Sequence, residues 1–405
     1  MNYTAHKKLK ENKTQITIKS LFWNFFLIGS YSFGGYMALI SIVRKELVEK
    51  KKVLTDEQIL DGISLASILP GPVAVNAVVY YGFILKGIKG AMAGFLGILL
   101  PTFLLVYGFS VYYFSIGADA NVDFHISFVI PAVVAVIASV GYNMAKKQIK
   151  FLSQACIALV AFIIAINASN VFTLIIIIVL GGIAGYFLYK KSVVKPEETQ
   201  RKASFSNKNE LKIGVITLIG VALLVLSLAL FTDQLNISLQ LASVFSGMSL
   251  TLFGGGYVII PIIEQAVVSG LHWVSIQEFN AAISISQITP GPIMTSVTFI
   301  GYKMAGITGA IVATLSIFMP SSILMLILSR FQQKIKHLSY IDAIMKGMRS
   351  VVIGLIFSGA YSIGATHFDL SLLPWVIFIV SLLLFMFTKT HPAFVILATL
   401  LFSFI

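Results

Sequence analysis

Backbone-breaking motifs that occur twice, in the same order, inside a very apolar chain constrain this fold more than any other feature. Phe33-Gly34-Gly35 returns as Phe253-Gly254-Gly255, and Pro70-Gly71-Pro72 returns as Pro290-Gly291-Pro292, each pair 220 residues apart. Pro101 and Pro320 follow at a separation of 219, so the second copy is one residue shorter. Glycine and proline break helices, and a break within the hydrocarbon leaves backbone groups unpaired unless they line a cavity or meet a polar solute. Two copies of the same breaks therefore predict a transporter built from a duplicated unit.

Composition supports that setting. Hydrophobic residues make up 58% of the 405 and charged residues only 11%, which excludes a soluble globular chain and predicts an all-α polytopic membrane protein. Apolar runs at 93–116, 126–145, 151–166, 171–189, 213–231, 306–329, 351–364 and 371–388 recur too long and too continuously for a β-barrel, whose strands alternate over about ten residues. The single cysteine, Cys156, excludes an internal disulfide and a Cys-rich metal site. The basic N-terminal stretch lacks a short apolar core with a cleavage site and reads as a cytoplasmic tail. The net charge of +13 lies in short blocks between apolar runs, so positive-inside bias explains it without nucleic acid.

Those blocks set a topology. Lys7, Lys8, Lys10, Lys13 and Lys19 place the N-terminus inside, as do Lys86 with Lys89, Lys146 with Lys147 and Lys150, the stretch 190–212, and 330–349 for their own loops. Stretches 117–125, 167–170, 232–237 and 365–370 carry no Lys or Arg and read as outside loops. Segment 90–116 then runs outward while its counterpart 306–329 runs inward, so the repeats are inverted. The segment 212–231 has no counterpart in the first half, and one extra crossing between two copies is what inverts the second. The expected organisation is a first repeat over 1–190, a cytoplasmic linker over 191–211, and the extra helix with the second repeat over 212–405. Up to Lys86 the chain must cross an even number of times. Either 18–47 and 56–86 are both re-entrant pairs broken at FGG and PGP, or each crosses once; the cluster Arg44, Lys45, Lys50, Lys51 and Lys52 favours re-entry.

Capping boxes at Thr55-x-x-Gln58 and Ser275-x-x-Glu278 open the helices before each PGP. The helices after Pro72 and Pro292, and those after Gly35 and Gly255, would aim N-terminal dipole ends at the membrane interior, an arrangement that favours anions. The breaks Gly34, Gly35, Gly71, Gly254, Gly255 and Gly291 are the candidate pathway residues. Around them lie neutral hydrogen-bonding side chains: Ser32, Ser64, Ser67 and Asn76 in the first half, and Thr251, Ser284, Ser286, Gln287, Thr289, Thr295 and Ser296 in the second. Of these, Ser67, Asn76, Gln287 and Ser296 complete the expected binding set. Serines in apolar helices also bond back to their own carbonyls, so each must be weighed against that use.

Charges near apolar segments are few. Asp61 and Glu264 are the proton-coupling candidates, and Lys303 and Arg349 the charged pathway candidates, each set against placement at an interface. Trp23, Trp273 and Trp375 fit an interfacial belt, and the six histidines show no metal-ligand spacing. Neither a metal nor a cofactor is expected, and no P-loop, HExxH, nucleophile elbow or kinase signature points to an enzyme.

FGGYMALI at 33–40 and LASILPGPVAVNAVVYYGF at 65–83, with FGGGYVIIP at 253–261 and ISQITPGPIMTSVTFIGY at 285–302, resemble the chromate ion transporter (CHR) family in its long, two-domain form. The resemblance implies chromate efflux across the plasma membrane, driven by the proton motive force, with inverted halves. The expected partners are thus an oxyanion (chromate, or sulfate as the alternative), protons and the bilayer, with a homodimer left open. An anion channel would use the same dipoles without a coupling acid. An intramembrane enzyme is disfavoured for want of a catalytic pair.

Overall fold

The computed structural model describes residues 16–32, 35–116, 120–167, 171–189, 235–251, 259–329, 339–365, 368, 372–388, 390 and 392–404. Gly34, Gly254, Gly255, the linker and the expected extra crossing 212–231 lie outside them. Among the described residues all regular structure is helical, as the apolar composition predicts for an all-α polytopic membrane protein. The helices are α1 (Ile18–Tyr31), α2 (Gly35–Arg44), α3 (Asp56–Ile68), α4 (Val73–Ile116), α5 (Ala120–Gln148), α6 (Leu152–Asn167), α7 (Val171–Tyr189), α8 (Leu235–Thr251), α9 (Ile259–Glu264), α10 (Ile276–Ile288), α11 (Ser296–Ser329), α12 (Ser339–Ala365), α13 (Leu372–Phe387) and α14 (Pro392–Phe402).

Two compact units share the chain, each drawing on both halves: 1–109 with 209–250 and 289–330, and 110–208 with 251–288 and 331–405.

In the first unit the longest helices are not straight rods. α4 reverses at Lys86 and Gly87, the latter at φ +61°, and α11 reverses at Ala305 and Gly306, the latter at φ +59°. Backbone at positive φ with ψ near −150° is open essentially to glycine and costs other residues about 1–3 kcal/mol, which is why glycine occupies both turns. The arms run antiparallel and close. A Cβ on Gly82 would collide with the Gly90 carbonyl, and one on Gly301 with the Gly309 carbonyl. Among the described residues four helices are long and apolar enough to cross a membrane, and α4 and α11, each a two-arm hairpin, account for two of them.

The two turns lie at opposite ends of this unit. Tyr107, on the outgoing arm of α4 far from Gly87, packs edge to face on Tyr302, close to Gly306, with centroids 5.6 Å apart. At 1.5 Å per residue Tyr107 is about 30 Å from its own turn and Tyr302 about 6 Å from its own.

α3 folds back on the first arm of α4. The Tyr81 hydroxyl donates to the Ile59 carbonyl at 2.8 Å, and the rings of Tyr80 and Tyr81 fill the space over Gly62. The capping box is formed in full at Thr55 and Gln58, at 3.2 and 3.1 Å. Its thirteen residues make α3 about 20 Å long, short of a hydrocarbon core of about 30 Å. α1 lies on the outgoing arm of α4, where Gly29 faces the Ile98 backbone and Gly97 the Phe22 backbone.

In the second unit α12 packs against α5, α6 and α7, and α13 and α14 pack against α5. Small residues bring these backbones together: a Cβ on Gly354 would overlap the Ala158 carbonyl, and one on Gly347 the Gly181 carbonyl. The Ser275–Glu278 capping box is formed here too, at 3.1 and 2.7 Å. α12 starts at Ser339, within the stretch 330–349 expected as an inside loop, so Arg349 sits half-buried inside a helix.

Candidate functional site

Both PGP breaks belong to the first unit, and the same geometry recurs at each. Gly71 has φ +96° and Gly291 φ +121°, so both positions demand glycine on backbone grounds alone. Neither tolerates a Cβ on packing grounds. At Gly71 it would overlap the side chain of Ser321, and at Gly291 that of Thr102. Ser321 directly follows Pro320 and Thr102 directly follows Pro101, so each break is packed against the hydroxyl residue that follows the in-helix proline of the opposite half.

Hydrogen bonds hold the crossed arrangement. Thr102 Oγ1 donates to the Pro290 carbonyl at 2.5 Å, and the Gly291 N–H donates to the Ser32 carbonyl at 3.3 Å. At the first break Asn76 is fully buried; its Nδ2 donates to the Pro70 carbonyl at 3.2 Å. Its Oδ1 accepts from Ser322 Oγ at 3.1 Å and Ser321 Oγ at 3.4 Å. The Ser321 N–H reaches Ser249 Oγ at 3.3 Å. A buried amide in apolar surroundings needs such partners, because leaving one unsatisfied costs about 1–3 kcal/mol.

A proline occupies the N-cap position of each following helix, so no side-chain oxygen caps it there; Pro292 makes none such before the short 3₁₀ turn Ile293–Thr295. Thr295 Oγ1 instead donates back to the Pro292 carbonyl at 2.8 Å. The helix ends after both breaks carry neutral donors and no fixed charge, which suits an anion.

Of the sequence-predicted residues, Gly71, Asn76 and Gly291 meet at these breaks in the first unit, and Ser296 is buried on α11 five residues after Gly291. Gly35 opens α2. Ser67 is spent on its own helix, donating to the Ile63 carbonyl at 2.7 Å, and Ser32 likewise bonds the Ile28 carbonyl at 2.5 Å. Asp61 is half-buried on α3, and Lys303 is exposed beside the turn of α11. Gln287, Glu264 and Arg349 belong to the second unit, where Gln287 is buried on α10. Glu264 closes α9, 9% exposed, with Ser269 Oγ donating to Oε1 at 3.2 Å and Ser362 Oγ to Oε2 at 3.3 Å. At the matching place 220 residues earlier, Arg44 is exposed and paired with Asp56 at 2.6 Å and Glu49 at 2.5 Å.

Thr102, Ser249, Ser321 and Ser322 are site residues that the motifs do not contain. Two carry a sequence signal, since Thr102 and Ser321 follow the duplicated Pro101 and Pro320.

The family model described as chromate transporter matches residues 19–186 and 239–404, one match in each half. The chain belongs to the chromate transporter family. Its members are transporters rather than enzymes. An uncharacterized transporter of Methanocaldococcus jannaschii is 28% identical over all of this chain and 98% of its own length. The chromate transport protein of Cupriavidus metallidurans is 28% identical over 84% of this chain and 81% of its own. A Bacillus subtilis uncharacterized transporter is 29% identical over 41% of this chain, which covers 96% of that shorter relative. No solved structure matches the chain.

Proposed function

We propose that this protein is a secondary carrier that exports chromate across the plasma membrane in exchange for protons, with a cytoplasmic N-terminus, and so confers chromate resistance. The observation that carries the reading is the pair of PGP breaks, each packed against the opposite half within one unit of a chromate transporter family member. Curated relatives named for chromate transport support the substrate. Chromate is a tetrahedral dianion, and neutral hydroxyl, amide and backbone donors at helix ends are the chemistry that holds one. Those donors distinguish chromate from sulfate poorly, so sulfate is the alternative cargo.

The depth of the breaks agrees with a midplane site. Asn76 lies eleven residues before Gly87, about 16 Å from the hairpin turn, half of a hydrocarbon core of about 30 Å. α3, too short to span, folds back on α4 and reads as re-entrant. The opposed turns of α4 and α11 support inverted repeats over 1–190 and 212–405 joined by the linker 191–211, as does the half-length relative. Alternating access would rock the repeats about the broken helices, exposing the breaks to one side at a time. Of the two carboxylates, Glu264 is the better proton carrier, being buried with two serine donors where Asp61 is half-buried. A homodimer is compatible with this scheme and not required by it.

Inside-out membrane vesicles from cells expressing the chain test the direction. Energised vesicles should accumulate chromate, and addition of an uncoupler should abolish accumulation. Accumulation only in right-side-out vesicles would make the protein an importer.

A further inference from the structure

α3 and α10 occupy matching places in the two halves, each opened by a capping box and followed by a PGP break, yet they differ in what covers them. One face of α3, with Ile59, Gly62, Leu65 and Ala66, is buried, and Tyr81 of α4 bonds the helix there. The opposite face is open. Glu57, Leu60 and Ser64, at i, i+3 and i+7, are exposed, Leu60 at 63%, and Asp61 and Ser67 are half-exposed. At a shift of 220 residues α10 places Asn280, Ser284 and Gln287 where α3 has Leu60, Ser64 and Ser67. All three are buried, none more than 8% exposed, and α14 and α5 pack on α10.

The open face of α3 is polar below the interface. Lys50, Lys51 and Lys52 stand just before the helix, and Asp61 and Ser64 lie about 8 and 12 Å along it from Asp56. A carboxylate or an unbonded hydroxyl turned to hydrocarbon at that depth is strongly disfavoured. Ser67 escapes this by donating to the Ile63 carbonyl, as Ser139, Ser286 and Ser358 do to carbonyls of their own helices. Ser64 makes no hydrogen bond among the described residues. An exposed hydroxyl that leaves its own helix unbonded is satisfied by water, and the half-exposed Asp61, three residues earlier on the same face, needs the same solvent.

We infer that the Glu57–Leu60–Ser64 face of α3 lines an aqueous inlet through which cargo enters from the cytoplasm. Ser64 lies six residues before Pro70, so the inlet reaches to about 9 Å from the first break. Leu69, Pro70, Gly71 and Pro72 are buried and close its inner end. Asn280, Ser284 and Gln287 line the matching inlet of the other half, which is shut in this structure. Ser284 Oγ, buried without a hydrogen-bond partner, is the group that water would reach when that inlet opens. The inference rests on the carrier reading, with its re-entrant α3 starting at the cytoplasm, and adds the face along which cargo travels.

The test is thiol modification in a full chain whose Cys156 is replaced by serine, with Leu60→Cys, Ser64→Cys, Ser284→Cys and Leu159→Cys made singly. Leu159, 59% exposed on the apolar helix α6, is as open as Leu60 but set against lipid. The reagent is a cationic, membrane-impermeant methanethiosulfonate, because Glu57 and Asp61 would repel an anionic one. Thiols react as thiolates, which form in water and are suppressed in apolar surroundings. In inside-out vesicles without chromate or a gradient, Leu60→Cys and Ser64→Cys should react about a hundredfold faster than Leu159→Cys and Ser284→Cys. In right-side-out vesicles they should not react, and modified Ser64→Cys should lose the chromate accumulation that its Cys156→Ser parent keeps. Reaction of both α3 cysteines at the Leu159→Cys rate, or only from the outer face, would overturn the inlet. Fast modification that leaves accumulation intact would overturn its use by cargo. Labelling as expected in vesicles whose unmodified protein never accumulates chromate would uphold the inlet and overturn the carrier reading.

Discussion

Gly291 and Thr102, 189 residues apart in sequence, pack so closely that a Cβ on the glycine would overlap the threonine hydroxyl, which is itself donating to the Pro290 carbonyl at 2.5 Å. Gly71 and Ser321 repeat the relationship at the other break. Each broken helix is thereby seated on the arm of the hairpin from the other half of the chain.

Gly291→Ala and Gly71→Ala should therefore abolish transport while inserting normally, since each adds a collision to a left-handed backbone cost of about 1–2 kcal/mol. Thr102→Ala removes the atom that collides most severely and should partly restore flux to Gly291→Ala but not to Gly71→Ala. Flux assays on the four variants check this, and equal rescue of both glycine variants would contradict the crossed packing.

Asn76→Ala removes the bond to the Pro70 carbonyl and the acceptor used by Ser321 and Ser322. The expected cost is about 1–3 kcal/mol, read as a melting temperature lower by a few degrees in the purified protein. Unchanged melting would mean that the amide does not hold the break together.

Much of this arrangement was legible in the sequence because it is local. The doubled PGP motif marked the breaks, Thr55 with Gln58 and Ser275 with Glu278 marked the helix starts, and the basic residues Lys86 and Lys89 marked the first hairpin turn. What was not legible depends on contacts distant in sequence. The bonds from Ser321 and Ser322 to Asn76 span about 245 residues, and no periodicity announces them. Ser67 carried the same composition signal as Asn76 yet spends its hydroxyl on Ile63, because in a helix the nearest carbonyl competes with any ligand. The start of α12 at Ser339 was not legible, because Lys346 and Arg349 read as charges of an inside loop although both lie on the helix.

Opposed hairpin turns imply opposed exposure. With Cys156 replaced by serine, single cysteines at Lys89 and Lys303, both exposed beside their turns, should react with a membrane-impermeant maleimide from opposite faces, Lys89→Cys from the cytoplasm. Labelling of both from one face would contradict inverted repeats.

Glu264→Gln keeps an acceptor for Ser269 or Ser362 but cannot take up a proton. Downhill chromate flux should persist in this variant while accumulation against a gradient disappears, whereas Asp61→Asn should still accumulate. Gradient-driven accumulation by Glu264→Gln at the wild-type level would move the coupling proton elsewhere.

The most direct test of a coupled oxyanion carrier is chromate flux in proteoliposomes holding only the purified chain, under an imposed proton gradient and with sulfate as competitor. Chromate should move uphill when the gradient is applied, stop when it is collapsed, and slow as sulfate is added. Flux that ignores the gradient would indicate a channel, and chromate that stays put while the gradient holds would contradict the account.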